Sequence, residues 1–391
     1  MQIMQKSPRP IGIYVHVPFC VQKCAYCDFY SITNLAMMRE YTSAVVAHIR
    51  SKKKFLKNTL VETIYFGGGT PSLLPVPQLE RILHAIYSVA QVAPNAEITL
   101  EANPGTLTSQ SLSAYKKMGV NRLSIGLQSA DDDELHSISR IHTRAEFENS
   151  FMLARMEGFD NINVDLIYAL PNQTKAKLLG NIDYVISMDP EHISLYGLTV
   201  EPETPLGRNK EILSTIPDED EQYNMYISAC KRLEEAGFFQ YEISNFAKKD
   251  CGCKHNLKYW MNKEYISFGP AAASFAENTE YVYKRDLEFY ISNLKNETAL
   301  READEETGET EHTLDDEELE TRFVMLHFRL RAGINAGEYF QKFGMSFEKM
   351  YIDKLEKYMQ DKYVVRTEHG FRLTRRGMLI SNTILSDILE F

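Results

Sequence analysis

Three thiols fall within eight positions of this 391-residue chain: Cys20, Cys24 and Cys27, in VHVPFCVQKCAYCDFYS, residues 15–31. A disulfide uses two such groups, and a structural zinc site uses four ligands. Soft thiolates favour iron–sulfur clusters, zinc or copper(I). A C-x3-C-x2-C loop keeps its sulfurs convergent and can wrap three corners of a cubane cluster. The fourth iron is then left without a protein ligand. The alternative is a zinc ion completed by His16 or Asp28. Of the other three cysteines, Cys230 reads as a buried helix residue, and Cys251 and Cys253 as incidental thiols.

Strand-like apolar runs alternate with helical patterns and must position these groups. IGIYVHV leads to a helix near 36–57, VETIYF to 76–90 and AEITLEA to 108–118. VNRLSIG leads to 144–157, NINVDLIYAL to 174–187 and HISLYGL to 218–236. Parallel strands joined by helices need cover on both faces. Six such units fit an open, partial (β/α)6 TIM-like barrel or a doubly wound sheet, and the expected fold class is the α/β partial barrel. In either case the reactive site lies beyond the C-terminal ends of the strands. The polar residues fall there: the cysteine loop, GGGTPS, Glu101 in EANPGT, Gln128 in GLQS, and Asp165.

The alternation stops after residue 237. The expected organisation is a core over 1–237, a segment 238–298 completing it, an acidic linker 299–316 and a small C-terminal domain 317–391. In that domain, helices at 317–330, 346–360 and 375–389 and short strands at 362–366 and 370–373 read as winged-helix-like. The net charge of −11 is nearly all local, because residues 301–320 hold eleven acids against Arg301 alone. With no basic face, no nucleic-acid partner is expected. No run of about 18 apolar residues predicts a membrane span. The start of the chain lacks the apolar region of an export signal, so a cytoplasmic protein with metal-binding rather than disulfide-bonded cysteines is expected.

In order along the chain, YVHVPFC, CVQKCAYC, YFGGGTPS, EANPGT, SIGLQS, RIHT, NVDLIYALP and HNLKYW resemble the oxygen-independent coproporphyrinogen III oxidase family. That family lies within the radical S-adenosylmethionine (SAM) superfamily. The resemblance implies a [4Fe-4S] cluster on Cys20, Cys24 and Cys27, with SAM on the open iron and reductive cleavage to a 5′-deoxyadenosyl radical. It implies that Tyr14 and Tyr26 flank cluster and SAM, and that Gly68, Gly69 and Thr70 let backbone approach the methionine end. By the same resemblance Glu101 accepts from the SAM amino group, Arg140 pairs with its carboxylate, and Gln128 and Asp165 hold the ribose.

The oxidase branch continues its cysteine loop with a fourth cysteine, and here that position is Phe29. The HemW-like haem chaperone branch carries C-D-F and H-N-x-x-Y-W instead. Both occur here, as CDF and as His255, Asn256, Tyr259 and Trp260. An imidazole is a good haem ligand, and Tyr259 and Trp260 offer flat apolar faces. Lys254, Lys258 and Lys263 are candidates for the haem propionates. CGCKH is one residue short of the C-x-x-C-H of covalent haem attachment. The resemblance therefore implies haem binding and transfer to an acceptor protein, with porphyrinogen oxidation as the alternative. An electron donor, and peripheral membrane association through the acceptor, come with it. Two departures stand out: Ala273 where relatives carry a histidine after a small-residue turn, and Ala169 where glycine is common.

Overall fold

The strands form where the apolar runs fall. They are β1 (Arg9–Val17), β2 (Thr59–Gly68), β3 (Gln91–Ala102), β4 (Arg122–Gln128), β5 (Ile162–Tyr168) and β6 (His192–Gly197). All seven residues of β4 are buried, as two-sided burial of a parallel strand requires. The computed structural model describes residues 8–293 and 309–390. Most of the expected acidic linker, 299–308, lies outside the described residues.

The chain divides into two units. The first holds the chain up to Asp165, Thr199–Leu213 and the described residues of Lys263–Thr313. Three further strands, β9 (Tyr265–Phe268), β10 (Ala273–Ala276) and β11 (Thr279–Tyr283), join it after β7 (Phe239–Gln240) and β8 (Asn245–Ala247) of the second unit, and β12 (Glu309–Thr313) follows. Its strand order is β12-β11-β10-β9-β1-β2-β3-β4. β9 lies parallel to β1, with Gly12 opposite Tyr265, a strand the sequence pattern did not reveal. The β1–β2 register sets His16 opposite Gly67 and Val17 opposite Gly68. On the other side, Glu101 of β3 lies opposite Ser124 of β4.

The helices that follow these strands bury one face each. Val76–Val89 buries Leu79, Ile82, Leu83, Ile86 and Val89, the spacing of a single helical stripe. Helix starts are fixed by side-chain caps. Thr143 and Glu146 cap Arg144–Met156 reciprocally, each satisfying an amide that has no intrahelical partner.

The second unit holds Leu166–Leu198, Ser214–Asn262 and the described residues of Leu314–Phe391. It pairs β6 with β8 and β8 with β7, all antiparallel. It also contains the three-stranded wing, with β13 (Ile334–Asn335), β14 (Val364–Arg366) and β15 (Gly370–Leu373) in the order β13-β15-β14. Helices Asp316–His327 and Phe347–Gln360 lie where the pattern puts them, the helix expected over 375–389 is split into Arg375–Leu379 and Ser381–Leu389, and Ala336–Phe343 is additional. Asn335 caps its start, and Gly344, at φ 70°, closes it.

An aromatic cluster holds this C-terminal part together. The Phe347 ring, fully buried, lies 4.8 Å from Tyr351, 5.2 Å from Tyr339 and 5.6 Å from Phe371, centroid to centroid. Truncating such a residue loses its transfer free energy and leaves a cavity. Phe347→Ala is expected to destabilise the second unit by about 3–5 kcal/mol, measured as a lower urea midpoint for its unfolding transition.

Candidate functional site

The cysteine loop leaves β1 and returns to it. Phe19 and Ile32 form a parallel bridge, and the Cys20 amide donates to the Ile32 carbonyl at 3.0 Å. Two further bonds pin the middle of the loop: Ala25 N–H to the Ile138 carbonyl at 3.2 Å, and Leu206 N–H to the Ala25 carbonyl at 2.9 Å. Cys20, Cys24 and Cys27 are free and half-buried. Burial, and then the neighbouring thiolates, push the Cys27 thiol up. A bound metal reverses this by deprotonating its thiol ligands outright. Among the described residues no three His, Cys, Asp or Glu side chains gather as a site for a metal ion.

Neither alternative zinc ligand is aimed at the sulfurs. His16 Nε2 lies 2.9 Å from the Tyr30 carbonyl, which can only accept, so Nε2 carries the proton. Nδ1, 3.2 Å from the Tyr14 hydroxyl, then accepts. Burial lowers the His16 pKa to about 4, so the ring is neutral at physiological pH. The Asp28 carboxylate instead faces Arg285 at 3.5 Å.

The glycine loop is packed against this histidine. Gly68 has φ 112°, and a Cβ there would sit 2.6 Å from the His16 ring. The backbone approach that glycine permits here is thus to the chain's own imidazole. The loop's amides are also spent internally. Gly68 N–H donates to Glu101 at 3.1 Å, Gly69 N–H to the Val17 carbonyl at 2.8 Å and Thr70 N–H to the Phe19 carbonyl at 2.7 Å. The Thr70 hydroxyl lies 3.6 Å from the Cys20 sulfur.

Glu101 is half-buried and accepts from the Tyr65 hydroxyl at 2.8 Å as well as from Gly68. Tyr65 stacks on Tyr14 at 6.1 Å. Burial raises the Glu101 pKa to about 7, with the Asp165 carboxylate adding to it. Asp165 receives Ser124 at 3.1 Å and Asn163 at 2.8 Å.

Arg140 joins the cysteine loop to the ends of β3 and β4. Its Nη1 lies 3.5 Å from the Cys24 sulfur, and its Nη2 donates to Asn103 at 2.9 Å and to the Gly126 carbonyl at 2.6 Å. Its Nε is buried with no partner. Asn103 in turn donates to Thr70 at 2.8 Å. Gln128, buried at the end of β4, has φ 70°, costly for a residue with a Cβ. Its side-chain amide, Arg140 and Asn103 converge over Gly126, whose missing Cβ leaves them room. Tyr26 is half-buried, and its hydroxyl is pushed up by burial and the Cys24 and Cys27 thiolates, and down by Arg140. A small cleft lies here, lined in part by Cys24, Thr70, Asn103, Arg140 and His142.

All the residues singled out between Tyr14 and Asp165 therefore lie in the first unit, around one edge of its sheet. Sequence reasoning missed Asn103, Gly126 and His142, and assigned His16 only as an alternative ligand. The signals were present: Asn103 in EANPGT, Gly126 two residues before Gln128, and His142 in RIHT.

The HNLKYW residues lie in the second unit, on the helix Lys254–Trp260, which the Cys253 side chain caps. His255 is 1% exposed, and its Nε2 meets the Tyr259 hydroxyl at 2.7 Å. Asn256, Tyr259 and Trp260 are half-buried, Lys254 is exposed and Lys258 is buried. One of the two departures, Ala169, has a backbone correlate, which Ala271 in the turn before Ala273 shares. Ala169 has φ 62° and Ala271, in GPAAAS, has φ 61°. Both occupy left-handed conformations where glycine fits without cost. Ala273 is exposed.

The sign of the Glu101 shift gives a test. Its folded pKa is raised, so the native state binds the proton more tightly than the unfolded chain. The stability this contributes is full below about pH 4.5 and is lost as pH rises through about 7. Glu101→Gln does not titrate. Its melting temperature, relative to the unsubstituted chain without ligands, is expected to increase from pH 5 to pH 8 in differential scanning calorimetry. A pH-independent difference contradicts the assignment.

A model of the radical SAM superfamily matches residues 14–185, and one of the HemN C-terminal domain matches residues 314–380. The heme chaperone HemW of Bacillus subtilis is 33% identical over 380 residues, covering 96% of this chain and 98% of the relative. HemW of Haemophilus influenzae is 32% identical, covering 98% of each chain. HemW of Escherichia coli is 37% identical over 69% of this chain and 71% of its own. The solved structure of coproporphyrinogen III oxidase (HemN) from Escherichia coli superposes with a TM-score of 0.84 at 20% identity. It covers 98% of this chain and 91% of that one, so the α/β fold with its parallel sheet is shared. Radical SAM membership implies a [4Fe-4S] cluster and SAM. On the strength of its full-length likeness, the chain belongs to the HemW family of the radical SAM superfamily.

Proposed function

We propose that this chain binds haem and passes it to an acceptor protein, carrying a [4Fe-4S] cluster on Cys20, Cys24 and Cys27 and SAM in the adjoining cleft. The observation that carries the haem reading is the 33% identity over 96% of the chain to a relative named heme chaperone. Phe29 supports it. The side chain that stands where the oxidase branch has a fourth thiol is 69% exposed and offers no ligand. When bound, the cluster supplies one-electron chemistry and SAM completes its fourth iron.

The residues around the cleft fit that pair of cofactors. The amides of Gly68, Gly69 and Thr70 are spent inside the chain, so this loop offers a ligand acceptors only. With the Glu101 carboxylate beside it, that set suits an ammonium group. Arg140 keeps a buried Nε without a partner and is suited to a carboxylate. Gln128 and Asp165 are the groups for sugar hydroxyls, and Tyr14 and Tyr26 flank the cofactors. His255 is the proposed haem ligand, beside Asn256, with Tyr259 and Trp260 for the macrocycle. Because its Nε2 bonds to Tyr259, haem ligation through that atom requires this bond to be exchanged for iron.

The reading also includes an electron donor, a cytoplasmic location, an acceptor that can bring the chain to a membrane surface, and the four-part organisation given above. Among the described residues no helix is long and apolar enough to cross a membrane.

Two measurements test the proposal. After anaerobic reconstitution, Cys24→Ser is expected to lose the iron, the sulfide and the broad visible absorbance. An unchanged spectrum would refute the cluster ligands. Haem titration of the full chain is expected to give a Soret band that shifts in His255→Ala. A band indifferent to that substitution removes the ligand assignment, and turnover of coproporphyrinogen III overturns the chaperone reading in favour of the oxidase.

A further inference from the structure

We propose that Arg329, which follows the helix Asp316–His327, forms with Trp260 a recognition site for a ligand carboxylate. Resting on the haem reading above, we assign that carboxylate to a haem propionate. The sequence offered lysines near HNLKYW for this role, but Lys258 is buried. Arg329, 69 positions beyond Trp260, brings a cation to the indole. Its guanidinium carbon lies 5.7 Å from the centre of the Trp260 ring.

The guanidinium keeps donor capacity unspent. Nη2 donates to Asn382 at 3.2 Å, while Nε is buried and has no partner. Both Arg329 and Trp260 are half-buried, so each retains a solvent face. A second polar group is left open nearby. Glu242, 1% exposed, has no partner for Oε1, and burial raises its pKa to about 7, so the carboxyl is partly protonated near neutral pH. The buried, unpaired Nε of Arg329 is a donor left for another group to complete.

The chemistry matches a porphyrin better than a simple anion. Porphyrin carboxylates hang from the edge of a flat apolar ring. An indole bordered by a guanidinium offers the same pairing of surfaces, a flat face beside a planar fork of donors. Arginine is the suitable cation because it stacks on the indole and can bond a carboxylate through two parallel N–H groups, which lysine cannot do.

The test compares haemin with haemin dimethyl ester, which keeps the macrocycle and iron but has no free carboxylate. Each is titrated into the full-length chain, Arg329→Leu and Arg329→Lys, followed by Soret absorbance. Arg329→Leu is expected to weaken haemin binding roughly ten- to a hundred-fold, as for loss of a charged hydrogen bond. Its affinity for the ester should stay within about two-fold of the unsubstituted chain, which also certifies its fold. Arg329→Lys should recover part of the haemin affinity.

Unchanged haemin binding by Arg329→Leu, or an equal loss for haemin and ester, would overturn the assignment. Equal affinity of the unsubstituted chain for haemin and ester overturns carboxylate recognition while leaving haem binding intact. Failure of the unsubstituted chain to bind either compound removes the haem reading and this proposal with it.

Discussion

The neutral imidazole of His16 ties together the parts of the first unit that concern cofactors. One nitrogen donates to the Tyr30 carbonyl at the far end of the cysteine loop, and the other accepts from Tyr14. Its ring also fills the space that a side chain on Gly68 would need. The loop, the glycine turn and the end of β1 are therefore held by one planar group. A charged ring could not accept from Tyr14, and burial favours the neutral form by lowering its pKa. The glycine is as much a consequence of this packing as a device for ligand approach.

Charge at the strand edge follows from the same economy of space. The Asp165 carboxylate adds to the cost of ionising Glu101, which burial already raises. Arg140 has Asn103, the Gly126 carbonyl and the Cys24 sulfur around it. Within this polar set the buried Nε of Arg140 is left without a partner.

The haem motif presents a different physical problem. A histidine that is 1% exposed and bonded to its neighbour's hydroxyl is a satisfied core residue in its present arrangement. Its helix is nonetheless short, seven residues from Lys254 to Trp260, and three of the four motif residues, Asn256, Tyr259 and Trp260, keep solvent contact. Exchange of a single hydrogen bond for a metal bond is a smaller change than unfolding a strand. This motif can therefore respond to a ligand without disturbing the sheet.

The order of strands and helices was legible in the sequence because two-sided burial writes continuous apolar runs such as RLSIGLQ, and caps such as Thr143–Glu146 punctuate them. The three cysteines, Glu101, Gln128 and Asp165 were legible as strand-edge residues, because parallel strands send their C-terminal ends to one side, whereas Arg140 was reached only through the family resemblance. Ala336–Phe343 escaped notice although Asn335 and Gly344 frame it, because eight residues carry little periodicity. What the sequence could not state is which groups meet across long separations. That Tyr30 answers His16, that Asn103 links Thr70 to Arg140, and that Arg329 rather than a nearby lysine stands over Trp260 depend on the register of strands and the packing of helices. Composition and spacing choose the chemical types. Only close packing of distant segments decides which nitrogen, oxygen or ring is left with a bond still to make.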